Sequence, residues 1–205
     1  MVDSLIFYTN PQSRGRIVRW MLEEIGAPYE TVLLDYGTTM KGADYLRVNP
    51  MGKVPAITHG ESVVTETSAI CAYLADAFPA AGLAPAPKDR ADYYRWMFFA
   101  AGPVEAAFSN KAMGWEAPPE RQGTLGYGTF DKAITALEVA VAGKAFIAGG
   151  AFSAVDVYVG SMIDFMLNFK LLEPRKVFDA YLEPLRARPA YIRAKEIDTS
   201  LTPKA

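Results

Sequence analysis

Apolar residues along this chain follow two different rhythms, and the change comes near residue 80. Before it, short apolar runs alternate with helical stretches. Leu5-Ile6-Phe7-Tyr8 reads as a short buried strand. Ile17, Val18, Met21, Leu22 and Ile25 then recur at helical spacing, and Gly26 supplies the stop signal. Residues 29–35 are strand-like, residues 37–42 a loop, and residues 44–48 one turn of helix. Residues 54–58 and 62–65 pair as a hairpin around His59-Gly60. Ala69, Ile70, Tyr73, Leu74, Ala77 and Phe78 form the apolar stripe of a third helix, closed by Pro79. The order βαβαββα predicts an α/β unit with helices on a small mixed sheet.

Residues 79–88, rich in proline and alanine, read as a linker. Beyond them strand signals vanish. Residues 92–108, 124–141, 153–169 and 174–187 carry helical apolar spacing, and Pro189 opens a short last helix. Asp89 is the expected N-cap of the first of these. Ser153 and Asp156 form a capping-box variant, with the serine hydroxyl on the N3 amide and the carboxylate reaching back. The pattern predicts an α/β domain over residues 1–80, a linker over 81–88 and an all-helical domain over 89–205.

Composition narrows the function classes. Half of the 205 residues are apolar and 21% are charged, which suits a folded core and not a disordered chain. A net charge of −2 argues against nucleic acid as a partner, because phosphate rewards a basic face. Cys71 is the one cysteine and His59 the one histidine, so no disulfide, CxxC pair or multi-histidine metal site is available within the chain. No run approaches the roughly 18 uninterrupted apolar residues of a membrane span. A cytoplasmic protein that does not associate with membranes is expected.

Candidate chemistry concentrates in residues 49–70. The first segment is Asn49-Pro50-Met51-Gly52-Lys53-Val54-Pro55-Ala56, and its proline stands where an apolar strand begins. Proline cannot donate to a sheet ladder and belongs at a strand's first residue or on an edge. A cis Val54-Pro55 bond would turn the Val54 N–H and C=O outward beside a sheet edge, two groups on which an extended peptide can dock. The second segment, Glu66-Thr67-Ser68-Ala69-Ile70, sets an acid and hydroxyls at a helix start, where free amides and the dipole favour an anion. Together they describe a site for a small peptide with an amine and a carboxylate.

These two strings, with Tyr73-Leu74 after them, resemble the glutathione-binding half of cytosolic glutathione S-transferases of the bacterial, beta-, theta- or phi-like kind. Residues 148–156 are similar to that family's helix-opening signature in its second domain. The resemblance implies a thioredoxin-like N-terminal domain followed by an all-α C-terminal domain, and a homodimer. It also implies glutathione as co-substrate, with no metal and no nucleotide. Glu66 would then meet the α-ammonium of the γ-glutamyl group and Thr67 its carboxylate. Val54 and Pro55 would hold the backbone, and Lys53 the glycyl carboxylate or a carbonyl.

The family's thiol-activating residue follows the first strand. Counting forward from Tyr8 gives Ser13; counting back from Leu22-Glu23-Glu24 gives Arg14. Ser13 is the expected donor to the thiolate, with Tyr8, Thr9 and Asn10 as alternatives and Arg14 as a source of positive charge. Phe108, Met113 and Trp115 are the expected walls of a pocket for a hydrophobic electrophile. Met162, Phe165, Met166 and Phe169 form a stripe read as core. The expected activity is conjugation of glutathione to an electrophile, in the manner of a detoxifying transferase. The alternatives are a glutathione-dependent peroxidase or disulfide reductase, or a non-catalytic glutathione carrier.

Overall fold

A computed structural model describes residues 4–202. The contacts of the chain divide it into two units, residues 1–83 with 187–205, and residues 84–186. The first holds a sheet built from β1 (Leu5–Thr9), β2 (Glu30–Leu33), β3 (Ala56–His59) and β4 (Ser62–Thr65). Its strand order is β2-β1-β3-β4, with β1 parallel to β2 and the other neighbours antiparallel. Helices α1 (Gly15–Ile25), α2 (Ala43–Val48) and α3 (Thr67–Ala77) complete the βαβαββα order of a thioredoxin-like fold.

Alternation sets the sheet. Leu5, Phe7 and Thr9 of β1 are buried while Ile6 and Tyr8 are half-exposed, the period-2 signature of a strand with one covered face. Helix α1 buries Ile17, Val18, Met21 and Leu22, and it ends at Gly26, whose left-handed φ of 66° lets its amide bond the Leu22 carbonyl. Helix α9 (Pro189–Leu201) belongs to the same unit and lies along α1. Trp20 meets Tyr191 edge-on at 4.9 Å between ring centres. Arg188 reaches Glu24 at 2.6 Å and Arg193 reaches Glu23 at 3.1 Å. The buried Arg19 pairs with Asp198 at 3.3 Å and also donates to Tyr29 and Thr31, so one guanidinium ties α1, α9 and β2 together.

The second unit is helical: α4 (Ala91–Phe99), α5 (Glu105–Ala112), α6 (Phe130–Val141), α7 (Ala154–Asn168) and α8 (Lys176–Arg186). A π-helical stretch, residues 100–104, joins α4 to α5 where Gly102 and Pro103 break the ordinary hydrogen-bond ladder. Helix α7 opens with the expected capping box. Asp156 does more than cap: its buried carboxylate accepts from the Ile147 amide, the Ser153 amide and hydroxyl, and the Tyr181 hydroxyl at 2.8–3.0 Å. Burial still pushes its pKa above the usual carboxylate value, against the pull of those four donors.

Several expectations shift. Asp89 does not cap α4; it lies in a 3-10 turn, and Arg90 precedes the helix. Residues 119–124 make a 3-10 turn and helix α6 waits until Phe130, capped by Thr129. Strand β2 is shorter than the strand-like run, covering Glu30–Leu33. His59 is the last residue of β3 and pairs with Ser62, so the turn falls on Gly60-Glu61. Its ring is half-buried, stacked on Phe78 and 3.0 Å from the Tyr73 hydroxyl, and not solvated as a turn residue would be.

Candidate functional site

Register brings the candidate residues to one end of the sheet. Tyr8 of β1 and Thr65 of β4 both pair with Ala56, the first residue of β3. The chain therefore leaves β1 toward Ser13, enters β3 from Val54, and leaves β4 toward Glu66, all at the same end. Strand β2 runs parallel to β1, so the loop after Leu33 emerges there as well.

Residues 49–53 form a braced turn. The buried Asn49 donates through Nδ2 to the Lys53 carbonyl at 2.8 Å and accepts the Met51 amide at 3.1 Å. Tyr45 donates to the same Lys53 carbonyl at 2.5 Å, and Lys41 to the Gly52 carbonyl at 2.6 Å. Gly52 has φ 56°, and a Cβ there would come within 3.0 Å of the Met40 carbonyl, so only glycine fits. The turn delivers Val54, whose bond to Pro55 is cis. Val54 packs with Tyr8 against Leu34, Met40, Tyr45 and Ala56. Among the described residues no backbone hydrogen bond reaches Val54, and the ladder starts only at Ala56. Strand β3 lies between β1 and β4, so the open groups stand at a strand's end and not along a sheet edge, as the sequence reading had it.

Glu66 follows β4 with φ 66° and ψ 118°, a strained backbone for a residue with a side chain. Its carbonyl accepts the Ile70 amide, which commits the next residues to α3, while its own side chain stays exposed. Thr67, the first residue of the helix, is buried and Ser68 half-buried. An exposed acid beside the amide-rich end of α3 can receive an ammonium and a carboxylate on adjacent atoms.

Ser13 stands at the head of α1, 8% exposed. Its hydroxyl donates to the Asn10 carbonyl at 2.6 Å and accepts the Gly15 amide at 2.9 Å. The Asn10 side chain is also engaged: Nδ2 donates to the Leu34 carbonyl at 2.9 Å and Oδ1 accepts the Gln12 amide at 2.9 Å. Thr9 is fully buried on β1. Tyr8 lies with its ring 5.5 Å from that of Tyr45. Tyr36, which the sequence did not single out, lies exposed in the loop after β2. Partial burial raises its pKa above the ordinary phenol value.

Comparison with known proteins agrees with this architecture. Residues 13–77 match the family model for the glutathione S-transferase N-terminal domain. The chain is 29% identical to glutathione S-transferase GstB of Escherichia coli K12 over 93% of its own length and 97% of that protein's. A crystal structure of a glutathione transferase from Methylococcus capsulatus aligns with a TM-score of 0.79 at 28% identity, covering 96% of this chain and 99% of the other. Along most of its length the chain is thus similar to glutathione S-transferases, a family of transferases. A sphingomonad glutathione S-transferase, solved in complex with glutathione, matches at 29% identity and a TM-score of 0.72 over 95% of this chain and 98% of its own.

Within the helical unit, the residues that the sequence singled out as pocket walls differ in setting. Phe108 is buried and edge-on to Phe169 at 6.3 Å. Met113 and Trp115 are largely exposed. Trp115 lines a cavity of about 240 Å³ with Asn110, Lys111, Tyr127 and Phe130, and neither Phe108 nor Met113 joins it. In the methionine–phenylalanine stripe of α7, Met162 and Met166 are fully buried, while Phe169, just past the helix, is exposed and stacks on Phe165. Lys41, Tyr45 and Asn49 were not legible as site residues. Their role is to shape the turn before Val54, and the Asn49-Pro50 string was the one signal for it.

Proposed function

We propose that the protein binds glutathione along Val54 and transfers its thiolate to an electrophilic small molecule. The observation that carries this reading is the unladdered Val54 backbone, presented by a braced turn beside the exposed Glu66 and the start of α3. In this reading the cysteinyl backbone of glutathione pairs with the Val54 N–H and C=O beside Pro55. Glu66 takes the γ-glutamyl ammonium, and Thr67 takes its carboxylate through amide and hydroxyl. Lys53 faces the glycyl carboxylate. The sulfur falls at the head of α1, by Ser13 and Arg14. Glutathione complexed with the sphingomonad relative supports the ligand.

A free thiol near pKa 8.5 is only a few per cent ionised at pH 7. Lowering that value by about 2 units takes roughly 2.7 kcal/mol of preferential thiolate stabilisation. Full ionisation speeds reaction by a few tens of fold at most, so the rest of the acceleration comes from holding the electrophile against sulfur. The step forms a carbon–sulfur bond; a halide leaves with the bonding pair, or a conjugated acceptor takes the charge and then a proton. Phe108, Met113 and Trp115 are the proposed apolar contacts of that electrophile. Cys71 takes no part: burial pushes its thiol up to about 12. Peroxide or disulfide chemistry would thus have to run through glutathione sulfur.

The working molecule is a homodimer in this reading, and exposed Met51, Val63 and Phe98 are apolar surface that such an assembly would cover. A cytoplasmic, detoxifying role goes with it. Retention on immobilised glutathione and conjugation of an activated aryl halide test the proposal together. Both are expected in the wild type, and both are expected to weaken in Glu66→Ala. Retention without turnover across a panel of electrophiles would mark a carrier, and no retention would end the reading.

A further inference from the structure

The connection between α5 and α6 shapes a cavity to which the glutathione reading gives a role only at Trp115. It runs over residues 113–129, well beyond the roughly 2–8 residues that usually join packed helices, and connections of such length are commonly functional. It is also ordered. The Gly114 and Trp115 amides bond back to the Lys111 and Asn110 carbonyls at 3.1 and 2.8 Å. A 3-10 turn spans Pro119–Thr124, and the Gly128 amide bonds the Leu125 carbonyl at 3.0 Å. The cavity, of about 240 Å³, lies wholly within the helical unit, and neither Phe108 nor Met113 lines it.

Its walls carry three kinds of group. Trp115, Tyr127 and Phe130 supply aromatic surface, and Trp115 is 63% exposed. Glu116 and Asp131 bring two carboxylates, neither of which forms an ion pair among the described residues. Lys111 brings a cation whose ammonium stands 5.6 Å from the Phe130 ring centre, within cation–π range. It too forms no ion pair among the described residues, although both acids line the same space. Hydrogen-bonding capacity is left over beside it. Asn110 donates to the Tyr127 oxygen at 2.7 Å, so that oxygen accepts, and the Tyr127 hydrogen has no acceptor among the described residues.

Two acids among aromatic rings suit an ammonium, while a lysine with a phenol hydrogen suits a carboxylate. Acids and base stand apart on one cavity without neutralising each other, which matches a ligand bearing both charges. We propose that this cavity binds a free aromatic amino acid. Its ammonium faces Glu116 and Asp131, its carboxylate faces Lys111 and Tyr127, and its ring lies against Trp115. The volume falls below the roughly 300 Å³ at which sites for drug-sized ligands begin, as a molecule of this size requires. The proposal stands apart from the glutathione reading.

The test titrates the full chain with L-phenylalanine and follows Trp115 fluorescence, since Trp20 and Trp96 are 3% and 7% exposed and give a steady background. A saturable change in emission and weaker quenching by iodide are expected. Phenethylamine lacks the carboxylate and 3-phenylpropanoate lacks the ammonium; each should bind at least about tenfold more weakly. Lys111→Met should weaken L-phenylalanine about tenfold and leave phenethylamine within about twofold. Glu116→Gln combined with Asp131→Asn should weaken L-phenylalanine to a similar degree and leave 3-phenylpropanoate within about twofold. All three side chains are exposed, so the variants should fold, which unchanged far-ultraviolet circular dichroism checks. No saturable response to L-phenylalanine overturns the proposal. So does an unchanged affinity in Lys111→Met. Equal affinity for 3-phenylpropanoate or for an uncharged aryl halide also overturns it, and would make the cavity an apolar pocket. Failure to bind glutathione would end the earlier reading and leave this one standing.

Discussion

Replacing Gly15 with alanine would place a methyl carbon 1.9 Å from Thr9 Oγ1, 2.9 Å from Ser13 Oγ and 3.1 Å from Thr9 Cβ. None of these atoms can yield easily. Thr9 is fully buried at the end of β1, where its carbonyl accepts the Leu34 amide at 2.9 Å, and a β-branched side chain has few rotamers to escape into. Rotating Oγ1 away would still leave Cβ too close. The helix must lift from the sheet, carrying Ser13 with it. Overpacking of a buried site costs about 1–3 kcal/mol, and the upper end applies here. Urea denaturation of Gly15→Ala should show that loss at unchanged m-value, and glutathione affinity should fall in the same protein. Thr9→Ala removes the worst contact, so the double variant should recover at least about 1 kcal/mol relative to additivity. A loss under about 0.5 kcal/mol, or an additive cycle, would refute the close approach of α1 to β1 as the feature that sets the head of the helix.

Other perturbations separate scaffold from site. Asn49→Ala removes two bonds inside the turn before Val54; it should cost about 1–3 kcal/mol by denaturant titration and weaken glutathione retention as well. Glu66→Gly relieves the positive φ at that residue, so it should be more stable by about 1 kcal/mol in thermal unfolding while losing glutathione affinity. Asp156→Asn should lose about 2–4 kcal/mol, since four donors face a group that no longer accepts from all of them. Because burial raises the Asp156 pKa, the folded state holds that proton more tightly than the unfolded chain. The wild-type advantage over Asp156→Asn should therefore be largest below the unfolded carboxylate value near 3.9 and shrink as pH rises through the raised folded value, read from denaturation midpoints across that window.

Much of the first unit was legible because its signals are local. Alternation in Leu5–Thr9, the helical stripe ending at Gly26 and the proline at the head of β3 each report on neighbours a few residues away. The capping box of α7 is local too, but the Tyr181 bond that gives Asp156 its buried partner comes from 25 residues further on. Long-range facts were hidden in the same way. Helix α9 is gathered with α1 through Asp198, Arg188 and Arg193, charged residues whose partners Arg19, Glu24 and Glu23 lie more than 160 positions earlier. His59 read as a turn residue because His-Gly is a turn dipeptide; the ladder runs one residue further and Phe78 covers the ring. Residues 124–129 continue an apolar spacing without forming helix, since Gly126 and Gly128 favour turns and Thr129 supplies the cap. At the site, spacing located Ser13, Val54 and Glu66 on their elements. It carried no information about the loop after β2, which the parallel pairing of β1 with β2 brings to the same end of the sheet.

Calorimetric titration of the protein with glutathione and with the dipeptide cysteinylglycine tests most directly that a γ-glutamyl peptide lies between Val54 and Glu66. The account predicts saturable glutathione binding at least about tenfold, or roughly 1.4 kcal/mol, tighter than the dipeptide, with the difference abolished in Glu66→Ala. Equal affinity for the two peptides, or no heat of binding with glutathione, would contradict it.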